Sequence, residues 1–144
     1  MTVKPVPEGY HTVTPYLIVR GVPQLLDFLK RAFDAVETER QTRDGVVTHA
    51  EVRIGDSVVM MGEAGDRNPP KPAMLYLYVK DADALYNRAL QAGATSAREL
   101  ADEFYGDRVG AVKDSGGNEW WIATHQEDVS PEELARRAEA RRQQ

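Results

Sequence analysis

The chain has 144 residues, of which 42% are hydrophobic and 28% charged, with a net charge of -5 and no cysteine. That length holds one core, or two half-size modules sharing it, and the balance is far from that of disordered chains. The acidic charge argues against a nucleic-acid partner, the missing thiols exclude disulfides and cysteine-held metal, and no apolar run reaches the ~20 residues of a membrane span. No signal peptide is evident, so the expected location is the cytoplasm.

Residues 14–35, TPYLIVRGVPQLLDFLKRAFDA, run from an alternating strand into an amphipathic helix. Pro15, Leu17 and Val19 share one strand face and Thr14, Tyr16 and Ile18 the other; Leu25, Leu26, Leu29, Ala32 and Phe33 then recur at helical spacing. The stretch VETERQTRDGVVTHAEVRIGDSVVMMGEA reads as three strands divided by the turn signals Asp44-Gly45 and Gly55-Asp56. This first βαβββ module, about 11–64, ends in a proline-rich linker at 65–72.

The pattern then repeats. Residues 74–94, MLYLYVKDADALYNRALQAGA, again give a strand and a helix, with Val79 corresponding to Val19. Strands are predicted at Thr95 to Leu100, Arg108 to Lys113 and Glu119 to His125, the last two joined by DSGGN, which completes a second module at about 73–125. Ser130-Pro131-Glu132-Glu133 supplies an N-cap, a first-turn proline and a capping-box glutamate for a final helix at about 130–144.

The repeat predicts a single α+β domain, 1–144: tandem βαβββ modules in a curved mixed sheet, helices on the convex face, a concave cleft, and a C-terminal helix. Alternation around Gly55-Asp56 pairs Ile54 with Ser57, Arg53 with Val58, Glu51 with Met60 and His49 with Gly62. Ala50, Val52, Ile54, Val59 and Met61 form the wholly apolar face that meets the helices. His49, Glu51, Arg53 and Met60 therefore line the cleft, with Thr14, Tyr16, Met74, Tyr76, Tyr78, Glu119 and Trp121 from neighbouring strands.

Three segments resemble the vicinal oxygen chelate superfamily of glyoxalase I, the bleomycin-resistance proteins and the extradiol dioxygenases. They are TPYLIVRGVPQLLDFLKRAFDA, THAEVRIGDSVVMMGEA and FYGDRVGAVKDSGGNEWWIATH, and the last two look most like the PhnB-like branch. The likeness covers roughly 11–125. It implies the fold just described and, in catalytic members, a divalent ion held by the first and last strand of each module. Those positions are Thr14, Met60, Met74 and Trp121, and none offers imidazole or carboxylate, so no metal and no cofactor is expected.

His49 and Glu51, two apart on one strand, could form a base and its orienting carboxylate; the alternative is a structural Glu51–Arg53 ion pair. Two such ligands need a third to hold a metal, and neither His11 nor Glu119 is expected to supply it. The aromatic and methionine group suits a planar or partly cationic organic ligand. Tyr105, Asp107 and Arg108 either close over the cleft mouth or make a local Asp107–Arg108 turn. His11 and His125 are read as solvated rim residues. The expected function is binding of a small molecule in the cleft by a homodimer. A lyase, isomerase or dioxygenase using His49 and Glu51, or a non-catalytic interaction dimer, are the alternatives.

Overall fold

In the computed structural model, which describes residues 2–144, the order is β1 (Tyr16–Val19), α1 (Val22–Phe33), β2 (Val36–Arg43), β3 (Val46–Ile54) and β4 (Ser57–Glu63). Then come β5 (Met74–Tyr78), α2 (Ala82–Gln91), β6 (Thr95–Asp102), β7 (Asp107–Lys113), β8 (Glu119–His125) and α3 (Pro131–Arg142). The curved mixed sheet expected from the repeat is built as two four-stranded sheets, ordered β1-β4-β3-β2 and β5-β8-β7-β6, with identical topology. In each, the first and last strands of the module form the one parallel pair, the helix crosses to the opposite edge, and antiparallel hairpins supply the rest.

The β3–β4 register is the one that alternation predicts, from Ile54–Ser57 to His49–Gly62. Ala50, Val52, Val59 and Met61 are buried beneath α1 with all five predicted apolar residues of that helix. In the second module Trp120 is fully buried while its neighbour Trp121 is half-exposed on the opposite face. Both helices feed one core, in which the Phe33 and Trp120 rings lie 5.4 Å apart. Arg88 of α2 clasps Asp34 with two hydrogen bonds and the Arg31 carbonyl with a third, tying the modules through their helices. No described helix is long and apolar enough to cross a membrane.

The repeat conserves roles more than residues. Glu63, at the end of β4, accepts the Gly21 and Val22 amides at the N-terminus of α1, where the helix dipole favours negative charge. Thr124, the corresponding position in β8, accepts the Ala82 amide of α2. Asp114 opens the DSGGN turn and gathers the Gly116 and Asn118 amides and the Trp120 indole N–H. For α3, Ser130 caps the Glu133 amide as its sequence predicts.

Edge strands differ. The Lys71 amide donates to the Ile18 carbonyl, so the linker covers part of the outer edge of β1. The backbone groups of Ala73 and Val79 turn toward β8, so by alternation those of Met74, Tyr76 and Tyr78 point away from the sheet.

Candidate functional site

In the first module one row of paired residues crosses four strands: Tyr16 on β1, Met60 on β4, Glu51 on β3 and Glu39 on β2. The next row sets His49 between Gly62 and Gln41. Glycine at 62 matters for space, since a Cβ there would lie 2.8 Å from the Tyr16 oxygen and 3.1 Å from its ring. The Tyr16 ring crosses this gap diagonally and its hydroxyl reaches His49 Nδ1 at 2.9 Å. His49 Nε2 is 2.7 Å from Glu51 Oε2, and the Tyr10 hydroxyl donates to Glu51 Oε1.

Glu51 is 4% exposed. Burial pushes its carboxyl up, but the hydrogen bonds from His49 and Tyr10 work against that, and the carboxyl lies below the ordinary value. An ionised Glu51 accepts the Nε2 proton, which leaves Nδ1 of a neutral ring to accept from Tyr16. The hydrogen bond to Glu51 pushes the Tyr10 phenol up to about 12, and burial raises that of Tyr16. Arg53 makes no ion pair with Glu51: it lies two positions away on the same face, as His49 does, but it is exposed to solvent while the imidazole lies against the buried carboxylate.

The second module carries a different cluster. Asp107, 1% exposed, accepts the Tyr76 hydroxyl at 2.8 Å and the Tyr78 hydroxyl at 2.9 Å on Oδ2, and faces His125 Nδ1 at 2.8 Å through Oδ1. Burial pushes the Asp107 carboxyl up, and the bonds from His125, Tyr76 and Tyr78 bring it below its ordinary value. Burial, Tyr105 and Asp107 raise the Tyr76 phenol, and Asp107 raises that of Tyr78. Asp107 and then Asp128 raise His125. Tyr76 stacks near Trp121, with centroids 6.4 Å apart and planes 18° apart, and the Arg98 guanidinium sits 5.6 Å over Trp121.

Several expectations are corrected here. Asp107 and Arg108 do not pair with each other: successive strand residues point to opposite faces, so Asp107 meets Tyr76 and Tyr78 while Arg108 turns away to Asp83 and Asp102. His125 is no solvated bystander but part of the Asp107 cluster. Thr14 precedes β1 and bonds the His11 carbonyl, beside Met60 in a cavity of about 400 Å³ under residues 5–12. Tyr105 touches Tyr76 at 3.3 Å, and Glu119 accepts the Trp121 indole N–H at 3.1 Å. A groove of about 1010 Å³ between β1 and β5 gathers Tyr16, Met74, Tyr76 and Tyr78 over a floor that includes Phe33 and Trp120. Among the described residues no hydrogen bond or ring contact joins the two polar clusters.

A model of the Glyoxalase/Bleomycin resistance protein/Dioxygenase superfamily matches residues 10–122. The chain belongs to this superfamily. An uncharacterized protein of Mycobacterium bovis is 35% identical over 134 residues, spanning 85% of this chain and 88% of its own. TioX from Micromonospora sp. ML1 has a TM-score of 0.71 at 25% identity, covering 80% of this chain and 98% of TioX. A glyoxalase/bleomycin resistance protein/dioxygenase family enzyme from Burkholderia phytofirmans PsJN shares the fold, with a TM-score of 0.66 at 16% identity and coverage of 78% and 96%. At the positions where the superfamily resemblance implies a metal, Thr14, Met60, Met74 and Trp121 do not fit a divalent ion, lacking both imidazole and carboxylate.

Two residues were not legible as site members: Tyr10, outside any periodic segment, and Glu39, on β2. Glu39 completes a trio with His49 and Glu51 whose ligand atoms all lie within 4.8 Å of one another.

Proposed function

We propose that this superfamily member binds a small planar or partly cationic organic molecule against its aromatic strand faces, as a cytoplasmic homodimer. One observation carries the reading. Tyr16, Met74, Tyr76 and Tyr78 stay 47%, 60%, 38% and 65% exposed while the three phenol oxygens are held by hydrogen bonds. A wall that had collapsed on itself would bury these rings; open rings with fixed hydroxyls are preorganised for stacking. Tyr76, Tyr78 and Trp121 supply flat surface, and the Tyr16–His49–Glu51 chain orients a polar group of the ligand. The uncharged edge of β5 supports the dimer, since open edges favour pairing.

A second reading is favoured by that same chain: Glu51 orients His49, which can take a proton from a substrate, as a glyoxalase-like isomerase or lyase requires. The experiment is calorimetry and kinetics on Trp121→Ala and His49→Ala with any small molecule recovered from the purified protein. Binding predicts a loss of about 2 kcal/mol for the indole and about 0.5–1.5 kcal/mol for the imidazole. Catalysis predicts nearly unchanged affinity and a turnover loss on the order of 10²–10⁴ for His49→Ala. If neither variant alters affinity or turnover, both readings of the site fail. Sedimentation showing only monomer at high micromolar concentration would refute the dimer.

A further inference from the structure

The β2–β3 ladder is irregular only where Glu39, His49 and Glu51 meet. Val36–Arg53 and Glu37–Val52 are paired, and an even ladder would next set Thr38 opposite Glu51. A bulge skips Thr38 and brings Glu39 there instead. A second shift of opposite sense skips Thr48, so Thr42 meets Val47 and the original register returns. The displaced register is thus confined to Glu39–Glu51, Arg40–Ala50 and Gln41–His49. Without it Glu39 would oppose Ala50, on the face covered by α1.

The result sets two carboxylates and an imidazole together. Like charges directly opposite on antiparallel strands destabilise the pair, and burial of Glu51 increases that cost. Among the described residues neither Glu39 nor Glu51 has a lysine or arginine partner; the imidazole is the sole basic group in reach. Gln41 Nε2 donates to Glu39 at 2.7 Å and Tyr10 donates to Glu51, steadying both carboxylates from outside the trio.

We propose that Glu39, His49 and Glu51 bind a divalent first-row transition ion, with its remaining coordination positions open beside Tyr16. Three protein donors of imidazole and carboxylate type suit zinc, manganese, iron(II) or cobalt, and Glu39 is exposed enough to admit the ion. Coordination through His49 Nε2 moves the ring proton to Nδ1, where the Tyr16 oxygen, 2.9 Å away, accepts it. The ligands come from β2 and β3, apart from the four positions at which the superfamily resemblance implies a metal. The site stands whether or not the aromatic faces bind an organic molecule.

The test is titration of the chelator-treated full chain with Co²⁺, followed by visible absorption and calorimetry, then displacement by Zn²⁺. We expect one ion per chain with visible ligand-field bands, and a loss of roughly tenfold or more in affinity for Glu39→Gln and for His49→Ala. Met60→Leu and His125→Gln should bind as the parent chain does. Circular dichroism checks that each variant is folded, and Glu39→Gln, on an exposed strand position, keeps the test valid if His49→Ala is not. The proposal is overturned if millimolar Co²⁺ gives no stoichiometric binding or if folded Glu39→Gln binds as tightly as the parent. It is also overturned if His125→Gln abolishes binding, which would move the ion to the Asp107 cluster.

Discussion

Replacing Asp107 with asparagine keeps the shape of the side chain and removes the charge on which two tyrosines and a histidine converge. Hydrogen bonds to an ionised acceptor contribute about 1.5–3 kcal/mol, against about 0.5–1.5 kcal/mol for neutral pairs, so each tyrosine bond should lose about 1 kcal/mol. The Tyr76 and Tyr78 bonds, at 2.8 Å and 2.9 Å, together give a destabilisation of about 2 kcal/mol. Loss of the His125 contact adds in the same direction, while water reaching the half-exposed donors offsets part of the total. For a chain of 144 residues the melting temperature should fall by about 4–8 °C. Urea titration followed by tryptophan fluorescence measures the change. A double-mutant cycle with Tyr78→Phe should return a coupling near 1 kcal/mol. If Asp107→Asn lies within about 0.5 kcal/mol of the parent at pH 6, a typical surface effect, the buried carboxylate is not what holds the aromatic wall.

Three further outcomes are expected. His125, raised by Asp107 and Asp128, contributes stability that is full below about pH 6.5 and is lost as pH rises through its higher folded value. Asp107, lowered despite burial, contributes stability that is full above about pH 4 and is lost as pH falls through its lower folded value. His125→Gln should therefore flatten the alkaline limb of a urea-stability profile, and an unchanged limb would refute the pairing. Gly62→Ala should expel the Tyr16 ring at a cost of about 1 kcal/mol, since Tyr16 can swing to solvent, while breaking its bond to His49. An unshifted His49 Nδ1 resonance in nitrogen NMR would count against that. Trp120→Ala should cost about 3–5 kcal/mol and Trp121→Ala well under that, the difference between a buried and a half-exposed indole; equal costs in denaturant titration would overturn the register of β8.

Most of the frame was legible because two local signals propagate. Gly55-Asp56 fixes a hairpin, and strict alternation then carries the register to His49–Gly62 without further information. The DSGGN turn does the same from Lys113–Glu119, and counted to its end it pairs Asp107 with His125. That pairing was present in the sequence; the adjacent opposite charges of Asp107 and Arg108 suggested a local contact that a strand's pleat forbids. Glu39 was not legible. The bulges at Thr38 and Thr48 carry no glycine and sit in ordinary β-forming runs, so nothing local marks the shift. Tyr10 reaches Glu51 across 41 positions from a non-repetitive segment, and such a contact is set by tertiary packing alone.

The linker between the modules has a consequence for how many partners one chain can engage through its strands. Four strands end the two sheets. β2 and β6 are charged and interrupted by bulges, which protects an edge, and β1 is bridged by Lys71. Only β5, with the sequence MLYLY, is free of charge and of any bridge among the described residues. Two repeats share a single joint, so the joint can shield one of the two equivalent edges and leaves the other bare. One bare edge gives strand pairing a valence of one, which is what the proposed homodimer would use, whereas exact repeat symmetry would have offered two such edges and a route to open-ended strand addition.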